Sequence, residues 1–177
     1  MNLYFRIILI LFRMIIMRRK EKVHYTQETS LSFTCLPLDI DINMHMNNGR
    51  YLTLLDLCRI HFMWSVGVLK GVVRRGWKPM VGGVEIQYRK SIKIFKKVEV
   101  KTRLICWDEK WFYSKQTFLM DSGIAAEALV KVLFIDNTGQ IVDPKRVFSI
   151  IDEDLGDISY PPQILAWNAL SAQRDKI

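Results

Sequence analysis

The sequence predicts an α+β domain in which an antiparallel β-sheet wraps around one long central helix. The first observation is that residues 48 to about 73 read as a helix whose apolar side chains point in nearly every direction, which is typical of a buried helix. The second is that four long segments after Gly76 alternate between apolar and polar residues and are separated by short polar turns. This pattern is typical of antiparallel strands.

The length and composition fit one domain with a substantial core. The chain has 177 residues, of which 50% are hydrophobic and 25% are charged. Its formal net charge of +8 predicts an anionic partner, such as a phosphorylated ligand or an acidic membrane surface. Nucleic acid is not expected as a partner, because the sequence has no zinc-finger, RNP or Gly-rich phosphate-loop pattern.

The three cysteines predict buried free thiols in a reducing compartment. Cys35, Cys58 and Cys106 are odd in number, widely spaced and set among hydrophobic residues. None stands beside a histidine or a helix start in the sequence, so a nucleophilic cysteine is disfavoured.

The N-terminal segment, residues 1–22, is expected to be distinct from the domain formed by residues 23–177. Residues 3–17 form an apolar run interrupted only by Arg6 and Arg13, and a basic cluster follows. As a helix the run would be about 22 Å long, which is shorter than the roughly 30 Å hydrocarbon core of a bilayer. Three interpretations stay open: a helix in the membrane interface, a short signal anchor, or a helix packed on the domain or a partner subunit. The first predicts a cytoplasmic protein held at the inner face of the membrane.

The elements of the domain follow in a simple order. A first strand is predicted at residues 31–36, ended by Pro37, and a polar loop leads into the wholly buried helix, which Gly67 and Gly71 can kink. Four strands in an antiparallel meander are predicted at 81–91, 98–107, 111–120 and 124–135. A short helix is expected after Pro144, then an acidic loop and a final helix begun by proline. The order β-α-β-β-β-β matches the hotdog fold.

Residues 39–51, D-I-D-I-N-M-H-M-N-N-G-R-Y, place polar groups directly before the most apolar helix. The N-terminus of a helix offers unpaired N–H groups and a partial positive charge, which suit the oxyanion that develops on a thioester. A carboxylate on the preceding loop can direct water at the same carbon. Asn47 or Asn48 can cap the helix.

The string L-D-I-D-I-N-M-H-M-N-N-G-R-Y-L-T-L-L-D-L-C-R resembles the hotdog acyl-CoA thioesterases related to 4-hydroxybenzoyl-CoA thioesterase. Their usual pattern is D-x-D-x-x-x-H-x-N-N-x-x-Y, followed by a helix carrying D-x-x-R. The stretches R-R-G-W-K-P, W-D-E-K-W-F-Y and A-W-N-A resemble a bacterial branch of that family, so the likeness covers nearly the whole chain. It implies hydrolysis of an acyl-CoA to a free acid and coenzyme A, without a cofactor, by a homodimer or homotetramer.

The resemblance also implies roles for particular residues. Asp41 takes the place of the carboxylate nearest the thioester, acting as nucleophile or general base, and the backbone N–H at Asn48 polarises the carbonyl. His45 is the next candidate base, and Asn47 and Gly49 are expected to contact the substrate. Many relatives carry a glycine immediately before the histidine, where this chain has Met44.

A basic cluster near residue 90 is the expected binding site for the phosphates of coenzyme A, although lysines at a turn are often only solvated. It comprises Arg89, Lys90, Lys93, Lys96 and Lys97. Asp39 is expected in a supporting role, and Asp56 and Arg59 as a buried structural ion pair. Four aromatic residues could line an acyl tunnel, but ordinary strand packing is expected for most of them: Trp107, Trp111, Phe112 and Tyr113.

Other functions stay open from the sequence. Asp39, Asp41 and His45 could ligate a metal, but nothing else in the sequence completes a recognisable site. The principal alternative to an enzyme is a membrane-associated module that binds an acyl lipid or an acyl carrier without catalysis. A hydratase on the same fold is a third possibility, for which His61 would need an acidic partner.

Overall fold

The computed structural model describes residues 22–152 and 159–174 of the chain. The predicted N-terminal helix therefore lies outside the described residues, as does most of the predicted acidic loop. Among the helices described, none combines the length and apolarity needed to cross a bilayer. In chain order the elements are β1 (Thr29–Thr34), α1 (Asn48–Val66), α2 (Leu69–Arg74), β2 (Lys78–Tyr88), β3 (Lys97–Trp107), β4 (Phe112–Met120), β5 (Gly123–Ile135), β6 (Ile141–Val142), α3 (Pro144–Phe148) and α4 (Pro162–Arg174).

The strands form one antiparallel sheet around α1, which confirms the predicted architecture. Their spatial order is β1-β3-β4-β5-β2, with the short β6 paired to β5. The predicted four-strand meander is wrong in one respect, because β2 pairs with β5 and not with β3. The connection at residues 89–96 is not a tight turn. It runs beside the loop that precedes α1, where the Met46 N–H donates to the Ile92 carbonyl at 2.8 Å, and so carries the chain from one edge of the sheet to β3.

The predicted long helix is two helices, because the chain turns at Gly67. This residue has a left-handed φ of +92°, and its N–H donates to the carbonyls that end α1. The face of α1 that meets the sheet is fully buried and includes Leu54, Leu55 and Cys58. The expectation of a wholly buried helix is wrong for its opposite face, because Leu52 is 43% exposed.

The last helix, α4, packs on the face of the sheet that points away from α1. Its Ile164 is fully buried in a cluster with Cys106 and Tyr113. The Tyr113 hydroxyl donates to Asp108 Oδ2 at 2.7 Å, and Asn168 Nδ2 of α4 donates to the same hydroxyl at 2.8 Å. Asp108 and Tyr113 of the W-D-E-K-W-F-Y stretch therefore anchor α4 to the sheet, a role that the sequence did not predict.

All three cysteines are buried and none forms a disulfide, which confirms that part of the prediction. Burial raises the pKa of Cys58 far above its usual value and raises the pKa of Cys106 to about 11. These two thiols therefore stay protonated at neutral pH and are poor nucleophiles.

Candidate active site

The residues before α1 form a small hairpin that holds Asp41 beside His45. Ile40 and Met46 pair in antiparallel register, and the Asp41 N–H donates to the His45 carbonyl at 3.0 Å. Met44 closes the turn with a left-handed φ of +59°. It thus keeps a backbone conformation that favours glycine, and its side chain is 62% exposed. The hairpin is closed even though the glycine of the family pattern is absent.

Asp41 presents one oxygen that no protein donor reaches in the part of the chain described. Its Oδ1 accepts the Asn43 N–H at 2.8 Å and lies 3.7 Å from His45 Nδ1. Its Oδ2 accepts no hydrogen bond from the described residues and is open to water or a ligand. Both side chains are partly exposed, Asp41 at 21% and His45 at 34%. A carboxylate in this setting can accept a proton or act as a nucleophile.

Besides the Asp41 carboxylate, the site contains a backbone hydrogen-bond donor at the start of α1. Asn47 is the N-cap, and its Oδ1 accepts the Gly49 N–H at 2.8 Å, which settles the choice between Asn47 and Asn48 as the cap. The Arg50 N–H donates to the Asn47 carbonyl at 2.9 Å. The Asn48 N–H has no acceptor among the described residues, and as part of a helix N-terminus it favours negative charge. Asn47 and Gly49, the two expected substrate contacts, are hydrogen-bonded to each other.

Asp39 holds the hairpin to the helix and is itself only 2% exposed. Its Oδ2 accepts the Leu36 N–H at 2.8 Å, and its backbone carbonyl accepts the Asn47 N–H at 2.8 Å. Arg50 Nε lies 3.7 Å from Asp39 Oδ1. Asp39 is thus buried and fully occupied with positioning the polar loop. No three potential metal-ligating side chains cluster within the described residues.

The predicted basic cluster divides into paired and unpaired side chains. Arg89 Nη2 lies 2.7 Å from Glu127 Oε2, and the Lys90 ammonium donates to the Ser122 carbonyl. Lys93 is exposed, forms no ion pair with a described acidic residue, and its backbone pairs with that of His45. Hydrogen bonds from Lys115 and then Arg89 hold the pKa of Glu127 below its usual value. Lys93 is therefore the cation of this cluster that lies nearest the hairpin.

A large apolar cavity that the sequence did not reveal lies between α1 and the sheet. Its volume is about 500 Å³, within the range of small-molecule sites. The first residue of α1 that lines the cavity is Thr53, about 7.5 Å beyond Asn48 along the helix axis. Phe112 lines it, whereas Trp107, Trp111 and Tyr113 do not, in line with the expectation of strand packing for most of these aromatic residues. The other apolar residues lining it include Leu57, Ile60, Met63, Leu104, Val132, Phe134 and Phe148.

The wall of this cavity contains one charged group that is mostly shielded from water. Arg59 bonds to Asp56 through Nη2, and its Nη1 donates to the Oε1 of the fully buried Gln116 at 2.8 Å. Burial lowers the pKa of Arg59, and Asp56 opposes that effect. The predicted ion pair exists, but it is buried only on the arginine side, because the Asp56 side chain is 62% exposed. No sequence signal identified Gln116 as its partner.

Comparison with known proteins gives consistent matches. The family model that describes the thioesterase-like superfamily matches residues 35–167 of the sequence. Protein THEM6 of Xenopus laevis is 32% identical over 143 residues, covering 80% of this chain and 67% of that protein. Protein THEM6 of Drosophila melanogaster is 35% identical over 133 residues, covering 73% and 68% respectively. A probable thioesterase of Saccharomyces cerevisiae is 31% identical over 120 residues, covering 66% of this chain and 52% of that protein.

Solved structures share the fold at low sequence identity. A probable thioesterase from Bartonella henselae superposes with a TM-score of 0.61 at 20% identity, covering 66% of this chain and 98% of that one. A Staphylococcus aureus protein solved in complex with CoA has a TM-score of 0.63 at 17% identity, covering 81% and 96% respectively. These likenesses confirm the hotdog fold.

Proposed function

This chain belongs to the thioesterase-like superfamily and is a thioester hydrolase, and on that premise we propose that it hydrolyses an acyl-CoA to a free acid and coenzyme A. The observation that carries the proposal is the hairpin before α1. There the open Oδ2 of Asp41 and the unpaired N–H of Asn48 belong to the two ends of one short polar loop.

The proposed chemistry needs only these two groups and water. The Asn48 N–H donates to the thioester oxygen, and the helix terminus stabilises the negative charge that develops there. Asp41 either takes a proton from the attacking water or attacks the carbonyl carbon itself, in which case water then hydrolyses the anhydride. In both routes a carbon–oxygen bond forms, the carbon–sulfur bond breaks, and the coenzyme A sulfur leaves and gains a proton. His45, 3.7 Å from the Asp41 carboxylate, orients that group or takes over as base.

The cavity supports an apolar acyl group as the other half of the substrate. It begins about one and a half turns beyond the helix start, and its lining is chiefly aliphatic and aromatic. An acyl chain that enters it from the thioester loses contact with water along its length, which is favourable for each methylene. The cavity thus favours substrates with a hydrocarbon chain over small polar acyl groups.

Lys93 is the proposed main contact for the phosphates of coenzyme A, with Arg89 and Lys90 in support. It lies next to His45 through backbone pairing, and no acidic residue in the described chain neutralises it. The structurally similar S. aureus protein was solved with CoA, which agrees with a substrate of this class.

A homodimer or homotetramer is also proposed. Among the described strands, β2 pairs with β5 alone and so presents a free edge. Strand edges of this length are usually covered. Four apolar residues of β2 are each at least about one third exposed, so a second copy would bury apolar surface there: Met80, Val81, Val84 and Tyr88.

Residues 1–22 are proposed as a separate membrane-interfacial segment that holds the enzyme at the cytoplasmic face of the membrane.

The test is release of thiol from a panel of acyl-CoAs by the purified chain. Saturable hydrolysis, faster for hydrocarbon chains than for acetyl-CoA, is expected. Binding of acyl-CoA without thiol release from any member of the panel would overturn the enzyme proposal. That outcome would favour the acyl-binding module instead.

A further inference from the structure

Two loops beside the candidate active site are fastened together by their backbones. They are the loop at residues 35–46 and the connection at residues 89–96. The Phe95 N–H donates to the Cys35 carbonyl at 2.7 Å, and the Cys35 N–H donates to the Lys96 carbonyl at 2.9 Å. The His45–Lys93 bridge joins the same two segments further along. The two loops therefore lie side by side, and the surface that they form together is here called the loop face.

The loop face carries large apolar side chains that no described residue covers. Ile42 is 97% exposed, Phe95 is 68% exposed, and Leu38 and Met44 are each 62% exposed. Met44 and Phe95 both adopt a left-handed backbone, with φ of +59° and +61°. That conformation is unfavourable for any residue with a Cβ, and it persists where the surrounding structure imposes it. Two of the exposed apolar residues thus occupy backbone conformations that carry a local cost.

The same surface carries lysines without acidic partners. Lys93, Lys96 and Lys97 are exposed, and none forms an ion pair with an acidic residue in the described part of the chain. The acids on these loops are Asp39, which is buried, and Asp41, which is only 21% exposed. The exposed charge of the loop face is therefore positive.

We propose that the loop face docks on an anionic lipid bilayer. Apolar side chains at loop tips can enter the boundary between headgroups and acyl chains, while lysines around them meet the negative surface potential. A second copy of this chain is a poorer occupant, because a symmetric contact would set the lysines of one face against those of the other. Docking would turn the hairpin of Asp41 and His45 towards the bilayer. The inference does not require the chain to hydrolyse anything.

The test places one fluorophore at a known position on the full chain. All three native cysteines are buried, so an introduced surface cysteine can be labelled selectively. Ile42→Cys carries an environment-sensitive dye on the loop face. Val73→Cys, at a site 68% exposed on α2, is the matched control beyond the other end of α1. Both proteins are mixed with phosphatidylcholine–phosphatidylserine vesicles, without substrate.

The expected result is a blue-shifted emission from Ile42→Cys that quenchers attached to the lipid acyl chains suppress, with no change from Val73→Cys. Adding Lys96→Gln and Lys97→Gln should lower vesicle affinity several-fold at low salt, whereas Lys70→Gln with Arg74→Gln should not. Vesicle binding with both dyes still in water would overturn the proposal and assign binding to residues 1–22. A shift that depends on protein concentration without vesicles would overturn it in favour of a second copy. Because no outcome involves thiol release, its failure is separate from that of the proposed activity.

Discussion

The Nδ1 atom of His45 lies 3.7 Å from the Oδ1 atom of Asp41, and the two residues stand on opposite strands of one small hairpin. The same Oδ1 accepts the Asn43 N–H, which leaves the Oδ2 of Asp41 open. This asymmetry between the two carboxylate oxygens makes Asp41 the most informative residue to change.

Asp41→Asn is expected to lower kcat/KM about 10²–10⁴-fold, the usual contribution of a general base. Folding should survive, because the amide oxygen can still accept the Asn43 N–H. Thiol release and the melting temperature measure the two effects. Asp143→Asn is the matched control, since Asp143 accepts the Lys145 N–H at 2.8 Å in the same way at the start of α3. Full activity of the Asp41 variant would move the chemistry to His45.

Replacing Arg89, Lys90 and Lys93 together with glutamine should raise KM for acyl-CoA far more than it lowers kcat, because phosphates remote from the thioester contribute binding to ground and transition states alike. Lys93→Gln alone should reproduce most of the effect, since Arg89 is paired with Glu127 and Lys90 with the Ser122 carbonyl. Added salt should shrink it, because exposed charges are screened over roughly 10 Å at 0.1 M ionic strength. An unchanged KM at low salt would mean that these side chains are only solvated.

Val132→Phe tests the cavity as the acyl site. Val132 lines the cavity and is 9% exposed, so a larger ring at this position would occupy part of the space. We expect kcat/KM to fall for long acyl chains and to stay near the unmodified value for short ones. The short substrates serve as an internal control for folding and catalysis. A uniform loss across chain lengths would count against acyl binding in this cavity.

Met44→Gly should stabilise the protein modestly. Removing Cβ from a left-handed residue relieves about 1–2 kcal/mol, and the extra freedom of an unfolded glycine returns roughly 0.5–1 kcal/mol of that gain. The free energy of unfolding in urea should therefore rise by up to about 1.5 kcal/mol. Asn43→Gly, at a neighbouring position without a positive φ, should instead lower it. A loss of stability in both variants would contradict the assigned strain.

Glu127→Gln should destabilise the protein at neutral pH but not in acid. Glu127 pairs with Lys115 at 2.6 Å and with Arg89 at 2.7 Å, and these partners lower its pKa in the folded state. Because the pKa of Glu127 is lower in the folded state, its charge stabilises the fold fully at pH values above the unfolded pKa of about 4.3. This contribution is lost as the pH falls through the folded pKa. Exposure of both cations limits the effect to about 1 kcal/mol. The free energy of unfolding in urea of both proteins is measured at pH 7 and near pH 3. An equal difference between them at both pH values would mean that the charge of Glu127 does not contribute to stability.

Much of the local structure was predictable from the sequence, because it depends on neighbours in the chain. The capping of α1 by an asparagine follows from local hydrogen bonds. The end of that helix at Gly67 was predicted only as a kink within one longer helix. The four long strands follow from alternation between the two faces of a sheet. The polar loop with Asp41, His45 and Asn48 was recognisable because its residues are close in sequence, and hairpin and helix start indeed lie side by side.

The tertiary structure decided the pairing of β2 with β5, since alternation identifies a strand but not its neighbour. It also decided which charges are available. Glu127 is 38 positions from Arg89 in the chain. The β2–β5 register places Glu127 opposite Gln87, within reach of Arg89. The cavity between α1 and the strands, and the contact of Arg59 with the distant Gln116, arise in the same way. Each depends on how separate elements pack, and packing is determined by side chains that are remote in sequence and meet only in the folded chain.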